Sequence, residues 1–187
     1  RALDQGLQAA QLWYALAPES AMAAQTLETL WLTTGRFEQA RPMVEQRFAQ
    51  SRAEGRIEAA YEQLLRTLIR SADKSAAFAL LEGIAESDPQ AAQARLALAA
   101  LANAAGQPER AALEAGKALA LQPADESIAV TAARLVQGST MGSEGALRIL
   151  QAYLARYPKA LEARFQYART LAAAGRGDDA RREMEIL

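Results

Sequence analysis

The sequence predicts an all-α solenoid of stacked helix hairpins, and three rulers along the chain predict it. Ala40, Ala77, Ala111, Ala146 and Ala180 recur at gaps of 37, 34, 35 and 34 residues. Pro89, Pro123 and Pro158 recur at 34 and 35, and Pro18 precedes Pro89 by 71. Gly35, Gly106 and Gly175 fall between the two helices of their units. Each residue type suits its place. A small side chain lets two helices approach, proline cannot continue a helix interior, and glycine takes the left-handed conformation that ends a helix. An alanine ladder alone is weak in an alanine-rich chain, but matched proline and glycine ladders in phase are not. A fixed period of 20–50 residues marks a solenoid.

The elements follow in order. Helices are expected over about 2–16, 19–34, 37–50, 56–71, 74–87, 90–105, 108–121, 125–137, 143–157, 160–174 and 177–187. The first supplies only the second half of a hairpin. A half-repeat 1–18 is therefore followed by repeats over about 19–55, 56–89, 90–123, 124–158 and 159–187, read as a single array. Pro42 sits early in its helix, so that helix is expected to start late, with Arg41–Pro42 near its first position. Two joints break the pitch. Ala49–Arg56 carries a three-residue excess, and Gly138–Gly145 reads as a flexible turn. Both are expected to be drift in loop length. The chain starts at Arg1 without a start methionine, and its last hairpin stops before a closing turn. It is expected to be a fragment of a longer array.

Composition bounds the chemistry. The 187 residues carry 21 basic and 22 acidic side chains, a net charge of −1, which lacks the basic bias of a nucleic-acid or anionic-membrane binder. No run of about 18 apolar residues free of charge occurs, so no membrane contact is expected of this segment. Apolar residues make up 51%, much of it alanine. That favours helix and implies thin cores. Without cysteine there are no disulfides or thiolate sites; without histidine, the usual general base and commonest metal ligand are missing. The acidic pairs Asp178–Asp179 and Asp125–Glu126 stand at helix starts, where capping and the helix dipole explain them. No enzyme, cofactor or metal is expected.

The repeats resemble the tetratricopeptide repeat (TPR) family, whose pattern is W-x2-L-G-x2-Y, then A-x3-F, then P. Its leucine slot holds Leu27, Leu64, Leu98, Ala132 and Tyr167, and its tyrosine slot Trp31, Leu68, Ala102, Val136 and Leu171. Its phenylalanine slot holds Val44, Leu81, Ala115, Leu150 and Met184. The tryptophan slot departs, with Ala24, Tyr61, Arg95, Ala129 and Arg164. The glycine slot holds Glu28 and Leu65 before turning to alanine. The resemblance covers essentially the whole chain. It implies a right-handed superhelix whose first helices line a concave groove, and a non-catalytic scaffold that binds a protein or peptide there.

The groove residues are those on the first-helix face opposite the leucine slot. They are Gln25, Thr29 and Leu32 in the first full repeat, then Glu62, Arg66, Ile69 and Arg70. Next come Leu96, Ala100 and Asn103, then Val130, Arg134 and Gln137, and last Phe165, Arg169 and Ala172. Arg66, Arg134 and Arg169 share one slot. A guanidinium fork suits carboxylates, so one expected role is to hold an acidic peptide or a free C-terminal tail; the other is that the long arginines solvate an otherwise alanine-lined face. Chaperone-clamp TPRs grip a terminal carboxylate with lysines and asparagines at set slots. Here those slots read Gln25, Thr29, Glu62 and Arg66, which do not match.

The wording of whole repeats, such as LAPESAMAAQTLETLWLTTGRFEQARPMVEQ, DKSAAFALLEGIAESDP and ALRILQAYLARYPKALEARFQYARTLAAAGRGDDAR, resembles proteobacterial outer-membrane TPR lipoproteins. That resemblance implies an adaptor on the periplasmic side of the bacterial envelope that recruits a protease, anchored through a segment upstream. A cytoplasmic location is the alternative. Two other functions are weighed: the substrate-binding arm of a larger enzyme, and an RNA-binding groove. The neutral charge and the lack of aromatics paired with base-reading side chains argue against RNA.

Overall fold

The computed structural model describes residues 2–187, with side chains from Asp4 onward. Among them are eleven α-helices and no strand. They are α1 (Ala2–Leu16), α2 (Ala21–Thr33), α3 (Phe37–Ala53), α4 (Ile57–Leu68), α5 (Lys74–Ala85), α6 (Ala92–Ala104), α7 (Pro108–Leu121), α8 (Glu126–Gln137), α9 (Gly142–Arg156), α10 (Leu161–Ala173) and α11 (Gly177–Met184). Every expected helix is present, with ends within three residues of those read from the sequence.

The punctuation works as chemistry. Gly35, Gly55, Gly106 and Gly175 adopt φ of +77°, +66°, +70° and +78°. In each case the next residue's N–H reaches back five residues: Arg36 to Trp31, Arg56 to Ser51, Gln107 to Ala102 and Arg176 to Leu171, at 2.8–2.9 Å. This is the Schellman closure, which satisfies orphan carbonyls at a helix end. Ser20, Asp73 and Asp125 cap the starts of α2, α5 and α8 by accepting from Ala23, Ala76 and Ile128.

Five local expectations change. The three-residue excess is not loop: it lengthens α3 to Ala53, and Gly55 then closes it. Pro42 lies inside α3, which starts at Phe37. Buried Phe37, Ala40, Val44 and Phe48 hold the helix on both sides of the proline and offset the backbone bond it removes. The α4–α5 turn has no glycine and closes by i→i−3 bonds, from Arg70 to Thr67 and from Ser71 to Leu68, so α4 stops at Leu68. The Gly138–Gly145 stretch is short and pinned. Ser139 Oγ donates to the Val136 carbonyl, and the Thr140 N–H donates to Glu109 at 3.0 Å. Gly145 is already inside α9, where a Cβ would lie 2.7 Å from Met141 Cβ and 2.8 Å from Val136 Cγ1. Finally, Asp178 and Asp179 do not cap α11. They pair with Arg181 at 3.4 Å and with Arg176 at 2.7 Å, respectively.

The helices form two compact units, residues 1–88 and 89–187. In the first, α2 packs beside α4 and α3 beside α5, so first and second helices make separate layers. Phe48 meets Tyr61 edge-on at 4.8 Å. Below them Asp88 receives both Arg52 Nε (2.7 Å) and Nη2 (2.9 Å), and the Tyr61 hydroxyl at 2.6 Å. Burial pushes the Tyr61 hydroxyl's pKa up, and its bond to Asp88 adds to this. Burial also works against the Asp88 carboxylate, but the bonds from Arg52 and Tyr61 outweigh it and hold Asp88 below its ordinary value.

In the second unit α8 packs beside both α6 and α10, and each pairs with the helix that follows it. Alanines set the spacing. Ala99, Ala115 and Ala132 make one contact layer, and Ala129, Ala133, Ala146 and Ala163 surround Leu150 and Tyr153 in another. The Tyr153 hydroxyl is satisfied by the Ala124 carbonyl at 2.8 Å.

Candidate functional site

The tryptophan-slot departures have a structural use. Arg95 on α6 donates to Glu114 on α7 at 3.3 Å, and Lys117 reaches the other Glu114 oxygen at 2.6 Å. Arg164 on α10 donates to Glu183 on α11 at 2.5 Å. The two arginines occupy one repeat slot and the two glutamates another. Glu28, in the glycine slot of α2, is held by Arg47 of α3 through Nε at 3.3 Å and Nη2 at 2.8 Å. These charges are spent inside the hairpins.

The slot shared by Arg66, Arg134 and Arg169 is exposed in all three helices. Arg66 stands 3.9 Å from Glu62. Arg134 makes a long 3.4 Å bond to Thr131 Oγ1. The Arg169 guanidinium lies 5.9 Å from the Phe165 ring centroid, and Phe165 is itself 44% exposed. Within the second unit, Arg134, Phe165 and Arg169 therefore stand on adjacent first helices as an aromatic and basic surface. Asn103 is exposed at the end of α6. In the first unit Gln25 is exposed and Thr29 half-buried. Ile69 and Arg70 are exposed just past the end of α4, because that helix closes early.

Other expected groove residues lie elsewhere. Val130 is 3% exposed and packs with Ala129, Ala133 and Leu150 in the core. Leu32 is 1% exposed. Leu96 is half-buried against Ala92, Ala118 and Ile128. Gln137 is half-buried and donates to Ser143 Oγ at 3.3 Å, holding the start of α9. The reason is geometric. A first helix packs against its own partner and against both neighbouring first helices, so its exposed stripe is narrower than a one-sided amphipathic pattern suggests.

Two clefts were not anticipated. In the first unit, a polar cleft of about 520 Å³ is bounded by Gln25, Gln46, Gln50, Gln63, Glu28 and Arg47. In the second, an apolar cleft of about 600 Å³ separates α7 from α9, with Leu113, Met141 and Ile149 on its walls. The signal for the second was present in the chain: Leu113 and Met141 are apolar residues outside every hairpin-packing slot. Among the described residues no group of acidic side chains is arranged to hold a metal ion, and no helix is long and apolar enough to cross a membrane.

Residues 144–187 match the family model described as tetratricopeptide repeat. No curated protein is detectably similar in sequence. Among solved structures, the chain is similar to the TPR-like repeats of a putative kinesin light chain from Podosopora anserina, at 19% identity, covering 90% of this chain and 93% of that one with a TM-score of 0.59. It is similar to YrrB, a TPR protein with an unusual peptide-binding site, at 14% identity, 96% and 90% coverage and a TM-score of 0.55. It is also similar to MamA, at 14% identity, 81% and 80% coverage and a TM-score of 0.55. The fold of the chain is that of a TPR solenoid.

Proposed function

We propose that this TPR-fold chain is a non-catalytic scaffold that binds a protein or peptide partner on the exposed faces of its first helices. One observation carries the reading: Arg134 and Arg169 stand at one repeat slot on adjacent helices, exposed and without an ion-pair partner among the described residues, with exposed Phe165 beside them. A guanidinium without a carboxylate is available to an incoming one, and an exposed aromatic supplies the apolar anchor that interfaces use. The preferred ligand is an acidic segment or a free C-terminal tail. Peptide binding by YrrB supports this by analogy of fold alone.

The finer reading is an adaptor for a protease in the bacterial envelope, on the periplasmic side. It rests on the wording of the repeats. The test is affinity capture from an envelope extract. Wild type is compared with an Arg66→Glu, Arg134→Glu, Arg169→Glu variant whose helicity is checked by circular dichroism. A protease held by wild type and released by the variant supports both readings. Another protein behaving so supports the binding surface and removes the protease. A partner held equally by both removes the arginine surface.

A further inference from the structure

We propose that the outer cleft of the second unit is a docking surface for a second copy of this chain, pairing α7 with α7 in antiparallel fashion about a twofold axis. This goes beyond the first-helix binding surface and uses the opposite side of the hairpins. Leu113 is 59% exposed and Met141 50% exposed, and both line a cleft of about 600 Å³ together with Ala112, Ala120, Val136 and Ile149. Such a surface on a scaffold marks an interaction site.

The charges on the rim select the occupant. Glu109 stands at one end of the cleft and Lys117 at the other, on the same face of α7. They are eight residues apart, about 12 Å along the helix. An antiparallel twofold centred at Leu113 sets Glu109 of each copy against Lys117 of the other. An isologous interface needs this self-complementarity. Both groups have capacity left. Glu109 accepts one bond, from the Thr140 N–H through Oε1, and Lys117 uses one of its three protons on Glu114. On that axis Leu113 meets Leu113 of the other copy at the centre of the contact, and Gly116 beside it has nothing within 4 Å of where its Cβ would be, so no bulk on its own chain stands in the way.

One helix pair covers less than the roughly 800 Å² per partner of a standard stable interface, so the dimer is weak, with a dissociation constant on the order of 100 µM. Sedimentation equilibrium of the 187-residue chain across that concentration tests it. The mass is expected to rise from 20.1 kDa towards twice that value. Leu113→Arg, at a 59% exposed position on the axis, sets like charges against each other and is expected to remain monomeric with an unchanged melting temperature. Glu109→Lys and Lys117→Glu are each expected to be monomeric alone and to associate when mixed, because every facing pair is then opposite in charge. A wild-type chain that stays monomeric throughout overturns the proposal. So does a dimer that survives Leu113→Arg.

Discussion

Arg95 and Glu114 join the two helices of one hairpin at 3.3 Å, with the glutamate buried. Two repeats further along, Arg164 and Glu183 occupy the same pair of slots at 2.5 Å. A position that the family fills with tryptophan is filled here by a guanidinium whose carboxylate sits on the facing helix. Removing one partner is expected to cost far more than removing both. Glu114→Ala leaves the largely buried Arg95 without its carboxylate, while the 45% exposed Lys117 returns to water, and is expected to lose about 3 kcal/mol. An Arg95→Leu, Glu114→Leu double variant is expected within about 1 kcal/mol of wild type. Chemical denaturation of the three proteins measures the difference.

Asp88 makes the first unit sensitive to acid. Its folded pKa is held down, so the stability it contributes is present above its ordinary value of 3.8 and disappears as pH falls through the lower folded value. Asp88→Asn lacks that dependence. The melting temperatures of wild type and variant are expected to differ most at neutral pH and to converge below about pH 4. A gap that stays constant with pH would place the effect in packing instead. Tyr61 acts at the other end. Its raised pKa favours the folded state below about pH 10, and that contribution falls as pH rises further.

Two of the glycines have opposite expected outcomes. Gly106→Ala places a Cβ on a backbone at φ +70° and is expected to destabilise by about 1–2 kcal/mol. Gly116→Ala, inside α7 with open space around it, is expected to stabilise by about 1 kcal/mol. Thermal melts of both variants check the signs.

Gly145→Ala tests the close approach at the start of α9. The new methyl meets Val136 Cγ1 and Met141 Cβ below 3 Å, and the expected loss is about 1–3 kcal/mol. Adding Val136→Ala removes one of the two contacts. The second substitution is expected to cost less in the Gly145→Ala background than in wild type. Equal costs in the two backgrounds would mean that the contact is not the cause.

Local rules carried the elements. Alanine, proline and glycine at a period near 34 specify helix, stop and left-handed turn by backbone sterics alone, so eleven helices were legible to within three residues. Gly35, Gly106 and Gly175 needed no tertiary knowledge, because a helix that ends on a left-handed residue selects glycine, which reaches φ above zero without a Cβ clash. The exposure of Arg66, Arg134 and Arg169 was legible for the same kind of reason: a charged side chain at one helical slot stays in water unless a partner is supplied.

Partners were what the chain alone did not disclose. Arg95 and Arg164 look like surface charges in a linear reading, and so do Glu28 and Arg47. Their burial depends on a carboxylate or guanidinium 19 residues away on the facing helix. A one-sided helical pattern places Val130 and Leu32 on an open face because it gives one helix two sides, but a helix in a stack has three neighbours. The surplus near Ala49 became helix because α3 had a glycine waiting at position 55 and an apolar face to continue packing. Propensity and periodicity act within a few residues. Burial, pairing and the free width of a helix face are decided by which other helix arrives, and that is a property of the packed structure.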